Sequence, residues 1–427
     1  MWKQIQSFFS KDSRSGQSLI EVIVGLAIGA ILMGASAFAI AGMIQTNNTS
    51  QKWRSATALA QGLLTNARAY GTVNWQNLYG LSKGSSFDYF LNASGTTYNV
   101  IWGKEGMLDN DVTSGLVGEW KFDEDVATTS TLTYDATGNG DDGTLVNSPT
   151  RATSTCKIAN CLIFNGSSTY VVAPFTAFGI GKPFSFAVWF KTTSTFAYEP
   201  GIISLGYSPV IVMKTDGKVR VWWYDGTTWP TIASVKSYND GNFHFVTATY
   251  DGITVKLYMD GVFIASAVSN INSIYSGFDV GREFNSGNKI FNGFIDDARV
   301  YNRALSAYEV GQLYNSNVFR RYFYVENACR TNDASSSISG VSPCAVGSAD
   351  DPSTQKISAI TEWTTPTGAN PQVLLSDYVT RWKNSVFQQN DWSGGPNATG
   401  VTINPTNLFS SSTNVNFSGK SLRIQGL

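Results

Sequence analysis

The sequence predicts an α+β protein: a long N-terminal helix, a small sheet-based head and a large all-β antiparallel sandwich. Three observations predict it. Residues 19–44 are nearly all apolar, and the stretch after them keeps apolar side chains at helical intervals. From residue 115 onward, Asp-Gly turns punctuate short alternating strands.

A chain of 427 residues exceeds one ordinary domain. Its net charge is −1 and no Lys/Arg-rich run occurs, so nothing points to nucleic acid. Charged residues make up 14%, aromatics 13%, and glycines number 40, a balance closer to exported β-rich proteins than to cytosolic enzymes. The cysteines fall as two close pairs, Cys156/Cys161 and Cys329/Cys344, without CxxC zinc spacing, and His244 is the sole histidine. Two local disulfides in an oxidising compartment are the expectation.

Residues 1–16 form a short polar leader with Lys3, Lys11 and Arg14 before Gly16. In the apolar run 19–44 the one charge is Glu21. That run reaches roughly 39 Å as a helix at about 1.5 Å per residue, enough to cross a bilayer core of about 30 Å. A secretory signal peptide would carry a shorter apolar core followed by its cleavage site. Gly25, Gly29 and Gly34 add small-residue spacing suited to close helix packing. Residues 45–69 place Trp53, Ala56, Leu59, Ala60, Leu63, Leu64 and Ala67 at helical intervals, an amphipathic continuation expected to end at Gly71.

The stretch Gly16-Gln17-Ser18-Leu19-Ile20-Glu21-Val22 resembles the prepilin signal of type IV pilins and type II secretion pseudopilins. The resemblance implies cleavage after Gly16 by a prepilin peptidase, leaving residues 17–70 as the pilin helix. Glu21 would then be the fifth mature residue, paired in the filament with the N-terminal amine of a neighbouring subunit. A carboxylate in lipid is costly and marks a function by default. Gln17 stands where the family usually has Phe, a departure that touches N-methylation more than cleavage.

Residues 71–114 read as turns and small strands, the first part of a head. Residues 115–315 carry the turns Asp216-Gly217, Asp225-Gly226, Asp251-Gly252 and Asp260-Gly261, which imply an antiparallel sandwich. Several segments there resemble laminin G-like, concanavalin A-like jelly rolls: Gly118–Asp123, Leu162–Ser167, Phe184–Phe190, Phe243–Val246 with Tyr250-Asp251-Gly252, and Gly293–Ser306. After Asn315 the run Phe319–Asn327 reads as a strand, Asp351–Trp363 as a turn leading into another, and Val373–Trp382 as a closing element. This half resembles the C-terminal part of minor pilin heads. The jelly roll is therefore expected as an insertion between head segments 71–114 and 316–392, with a Ser/Asn/Thr-rich tail at 393–427.

Catalysis is not expected. The nearest acid cluster, Asp123-Glu124-Asp125, reads as a solvated turn rather than the alternating carboxylates of a β-glucanase. His244 lacks a Gly-x-Ser-x-Gly partner motif. Binding fits better. Trp222, Trp223, Tyr224 and Trp229 cluster around Asp225-Gly226, and strand alternation assigns Trp223 to the core while Trp222 and Trp229 face outward for glycan stacking. Asp135, Asp296 and Asp297 are candidate Ca²⁺ ligands, with turn-fixing hydrogen bonds as the alternative.

Together these readings predict a minor pilin or pseudopilin. It would cross the cytoplasmic membrane once before assembly and then display a lectin-like jelly roll at the cell surface, with other pilin subunits as partners. A single-span envelope binding protein that never polymerises is the alternative, and a membrane-tethered glycan hydrolase comes third.

Overall fold

The computed structural model describes residues 19–128, 130–175, 178–272, 277–284, 289–331, 337–365 and 367–381, with the short strands Val415–Asn416 and Arg423–Ile424. Side chains are described from residue 23 onward, except at Pro352 and in the last two short strands. Gly16, Gln17, the side chain of Glu21 and most of the expected tail lie outside the described residues. The chain divides into two compact units, residues 1–54 and 55–427.

Helix α1 spans Leu19–Val73. Within the first unit its described apolar side chains are exposed, among them Leu26, Ile31 and Phe38, and the helix is long and apolar enough to cross a membrane. A Cβ added at Gly25, Gly29 or Gly34 would meet nothing within 4 Å.

In the second unit, α1 buries the face its sequence marks out. Leu63, Leu64 and Ala67 pack with Phe323, Val325 and Ile357 of the head sheet, while Ala56 meets Phe319 and Trp363. The helix does not stop at Gly71. It runs on to Val73, and Leu78, from the short helix α2 (Gln76–Tyr79), occupies the space a Cβ on Gly71 would need, with its Cδ1 2.1 Å from that position. The glycine admits a close neighbour rather than breaking the helix.

The head sheet runs in the order Thr97–Trp102, Tyr89–Ser94, Val318–Arg330, Ala349–Glu362, Gln372–Thr380, with Glu105–Leu108 and Ile338–Val341 also pairing Val318–Arg330. Its strands thus come from both sides of the long central segment. The strand Ala349–Glu362 runs straight through Asp351-Pro352, where the sequence reads as a turn. The register moves from Asn327↔Gln355 to Ala328↔Asp351, so residues 352–354 bulge, which accommodates a proline that has no N–H for the ladder.

The central segment forms two further sheets, each with eight strands among the described residues. One is ordered Val262–Val268, Thr254–Met259, His244–Tyr250, Phe184–Lys191, Asn292–Tyr301, Cys161–Asn165, Thr150–Ala152, with Leu116–Trp120 beside Asn292–Tyr301. The other is ordered Thr231–Ser237, Lys218–Trp222, Val210–Met213, Gly201–Leu205, Phe278–Val280, Tyr170–Ala173, Gly143–Val146, Leu132–Thr133. All pairings are antiparallel. Of the four Asp-Gly turns, Asp260-Gly261 has positive φ at both residues, +52° and +77°, as a two-residue primed hairpin turn requires.

Between the sheets lies one apolar core that includes Trp120, Phe186, Phe190, Trp223 and Phe278, with Trp120 stacked on Phe278 at 4.7 Å. Each such fully buried side chain contributes roughly 1.5–3 kcal/mol from area removed from water. The outer face of the first sheet is covered as well. Helix α3 (Ala307–Asn315), started by a Ser306/Glu309 capping box, buries Val310 and Leu313 in a cluster with Trp189, Phe245 and Tyr258. Leu108 and Val318, where the head sheet breaks off and resumes, join that cluster.

Both cysteine pairs are disulfide-bonded, Cys156–Cys161 and Cys329–Cys344, each with Cα atoms 5.6 Å apart.

Candidate functional site: an aromatic groove on the second sheet

Strand register decides which side chains face the groove. Across four strands, Ile203, Ile211, Val221 and Ile232 are register partners and point into the core. The next row along, Ser204, Val210, Trp222 and Thr231, takes the opposite face. Arg220, two residues from Trp222, shares that face and pairs in register with Val212. Trp223 is fully buried, its Nε1 donating to Ser269 Oγ at 3.0 Å.

Above this floor stands an aromatic wall. Trp229 is 46% exposed and Tyr207 45%. The Trp229 ring lies 5.3 Å from Trp222 at 73°, 5.5 Å from Tyr207 at 69°, and 4.7 Å from Tyr224 at 40°. The loop that carries Trp229 is held from within. Asp225 Oδ1 accepts from the Thr227 and Thr228 amides at 2.8 and 2.6 Å, and Tyr224 Oη donates to the Gly226 carbonyl at 2.6 Å. Hydrogen bonds from Thr228 first, then Thr227, hold the Asp225 carboxyl well below the usual range. Tyr224 N donates to Ser208 Oγ at 2.8 Å, tying the loop to the one that carries Tyr207.

The other wall is ionic. Arg220 pairs with Glu199, and Lys289 Nζ lies 2.8 Å from each carboxylate oxygen of Glu283. The open cleft that these side chains line has a volume of about 310 Å³, at the lower end of small-molecule pockets. A sugar ring fits this chemistry: its C–H face stacks on an indole, and its hydroxyls meet the polar edge of the ion pairs.

Trp222 and Trp229, singled out from the sequence, thus lie in one groove. Glu199, Tyr207, Thr231, Glu283 and Lys289 were not singled out. They arrive from separate loops and strands, and only Arg220 could have been placed beside Trp222 by alternation.

The acidic candidates are arranged differently. Asp135 is buried: its Oδ1 accepts from the Glu119 and Thr137 amides, both at 3.1 Å, and Thr137 Oγ1 donates to both of its oxygens. Asp296 Oδ2 accepts from Lys157 and Ile158 amides at 3.0 and 2.8 Å, which fastens the disulfide loop. Burial, then the neighbouring Asp123, push its carboxyl well above the usual range. Asp297 receives Arg299 Nε on both oxygens at 2.9 Å, and Arg299 also pairs with Glu119 at 2.7 Å and with Asp111. These carboxylates answer backbone amides and a buried guanidinium. Among the described residues, the acidic or sulfur trio with ligand atoms within 4.8 Å of one another is Cys329, Cys344 and Asp350, whose cysteines form a disulfide.

Asp123 and Glu124 are buried rather than solvated. Asp123 accepts from the Gly106 and Asn160 amides, and Glu124 pairs with Arg151 at 2.6 Å. His244 is clamped between two carboxylates, Nδ1 2.9 Å from Asp260 and Nε2 3.0 Å from Asp240. Burial opposes its charge, yet the hydrogen bonds to Asp260 and Asp240 outweigh burial and raise its pKa above the ordinary value. A further buried cluster links head to sandwich: Glu105 receives Lys121 at 2.8 Å and Arg321 at 2.6 Å. Burial alone would raise the Glu105 pKa, but Arg321 and then Lys121 bring it to about 2.

Residues 11–37 match the family described as the prokaryotic N-terminal methylation motif, and residues 165–311 match the concanavalin A-like lectin/glucanases superfamily. The chain therefore carries a type IV pilin-like N-terminus and a laminin G-like, concanavalin A-like sandwich. Comparison with curated proteins gives no match. Among solved structures, domain 4 of the extracellular arabinanase AbnA from Geobacillus stearothermophilus, in complex with arabinotriose, is 20% identical over 47% of this chain and 99% of its own, at a TM-score of 0.39. The binding domain of Paraclostridial Mosquitocidal Protein 1 is 18% identical over 47% of this chain and 52% of its own, at 0.38. Trypanosoma rangeli sialidase is 16% identical over 48% of this chain and 33% of its own, at 0.36. The chain thus spans about half of the second of these proteins and a third of the last.

Proposed function

We propose that this chain is a minor subunit of a type IV pilus or a type II secretion pseudopilus, presenting a glycan-recognising jelly roll outside the membrane. The observation that carries the recognition half is the groove walled by Trp229 and Tyr207 over Trp222, with ion-paired glutamates opposite. The anchor half is supported by the methylation motif at residues 11–37 and the exposed apolar helix behind it. In this reading a prepilin peptidase cleaves after Gly16, Glu21 sets register against a neighbouring subunit, and the helix packs into the filament. Residues 71–114 and 316–392 form one pilin-like head into which the jelly roll, 115–315, is inserted. A head sheet built from strands on both sides of the insertion supports that division. An insertion this large on every subunit would crowd a helical array, which favours a minor component.

The role is one of binding, not hydrolysis. Glycoside hydrolysis needs a carboxylic acid to protonate the leaving oxygen, and both groove glutamates are engaged by a cation. The test is co-expression with a prepilin peptidase: the parent chain shortens by its leader and Gly16→Ala stays full length. Equal processing of both would sink the pilin assignment. Complete processing with no filament incorporation would favour the single-span envelope protein instead.

A further inference from the structure

We propose that the groove selects neutral sugars over acidic ones, an inference that rests on the glycan-binding reading of the same site. Two cations and two carboxylates line the cleft: Arg220, Lys289, Glu199 and Glu283. They are matched one to one, Arg220 with Glu199 and Lys289 with Glu283, so the lining carries no net charge. A uronate or sialic carboxylate entering here finds the charge of both cations already balanced and sits beside a glutamate of its own sign. Displacing Glu199 from Arg220 would leave that partly buried glutamate unpaired, an unfavourable exchange. A cationic amino sugar meets the mirror-image obstacle. An acid-sugar site would instead present an arginine with its fork open toward the ligand.

What the cleft does offer suits hydroxyls. An ionised carboxylate has about four lone-pair sites and a guanidinium five N–H donors, so a single ion pair leaves both partners capacity for sugar hydroxyls. The Thr231 side chain adds a hydroxyl at the floor's edge. The nearby Asp225 carboxylate, fixed by Thr227 and Thr228, stays ionised and adds a negative charge beside the cleft, which further disfavours an acidic sugar. Lys214 and Lys218, on the same hairpin, are both drawn to Asp216.

The experiment uses the full chain in a non-glycosidic detergent. Xylo-, cello-, manno- and arabino-oligosaccharides are titrated alongside an oligogalacturonate of equal length, and lactose alongside sialyllactose. Selection for neutral sugars predicts that the best neutral probe binds at least about tenfold more tightly than its acidic counterpart, with less than about twofold change between roughly 50 and 500 mM NaCl. Glu199→Gln, which frees the charge of Arg220, narrows that gap by at least about fivefold at the low-salt end. Equal or tighter binding of the acidic probe, or salt-sensitive binding, overturns the inference while leaving a glycan site intact. No binding by any probe, or binding indifferent to Trp229→Ala, removes the glycan site itself and the inference with it.

Discussion

Replacing Trp229 by alanine removes the most exposed ring of the groove. The ring is 46% exposed. A tryptophan buries roughly 150–250 Å² when fully covered, so about 70–115 Å² remains for a ligand to cover. At about 25 cal/mol per Å² that area has a ceiling of roughly 2–3 kcal/mol. Ordering of the sugar and imperfect contact reduce the net effect to about 1–2 kcal/mol, or roughly 5–30-fold in Kd. The assay is isothermal titration of the detergent-solubilised chain with its best neutral oligosaccharide, paired with circular dichroism to show that the sandwich stays folded. Trp229→Phe should retain most of the affinity because a planar face survives. Val235→Ala, on the exposed side of the neighbouring strand, should change nothing. If Trp229→Ala binds within twofold of the parent, the groove is not where the sugar stacks.

Three further outcomes follow from the fold. Arg299→Met leaves Asp297, Glu119 and Asp111 without their shared buried cation, so urea denaturation should show a loss of about 3–5 kcal/mol; adding Glu119→Gln should recover part of it, and strict additivity would contradict the network. His244 has a raised pKa in the folded state, so its stabilisation is fully present below the ordinary histidine value and is lost as pH rises through the raised one. The difference in urea midpoint between parent and His244→Gln should therefore be largest near pH 5 to 6 and shrink toward pH 9, and a difference that grows with pH would contradict the clamp (about 6.5 is the ordinary value). Gly71→Ala forces a methyl group into Leu78 and should destabilise the head by about 1–3 kcal/mol, whereas Gly62→Ala, with open space around it, should be neutral or stabilising.

Features carried by local pattern were legible in the sequence. The apolar run from Leu19 marked out a helix long and apolar enough to cross a membrane, and helical spacing of Ala56, Ala60, Leu63, Leu64 and Ala67 marked out the face that packs on the head. Period-two alternation separated Trp222 from Trp223, because one residue along a strand reverses the face. Features that depend on distant partners were not legible. Gly71 carries no mark that Leu78 will press against it. Asp351-Pro352 reads as a turn until the slipped register opposite Asn327 and Ala328 accommodates it. Asp123 and Glu124 resemble a solvated turn, since the amides of Gly106 and Asn160 and the guanidinium of Arg151 that bury them come from elsewhere in the chain. The ionic side of the groove is the same case: Glu199, Glu283 and Lys289 sit in loops with no periodicity, and only the folded sheet brings them into the cleft that Trp229 lines.

The most direct measurement is mass spectrometry of filaments sheared from cells that express the chain with its native assembly machinery. A pilin-type subunit displaying the jelly roll predicts peptides from 115–315 in the sheared fraction and an N-terminal peptide beginning at Gln17, both lost in Gly16→Ala. Recovery of the chain solely in the membrane fraction, or with its N-terminus at Met1, would contradict the account.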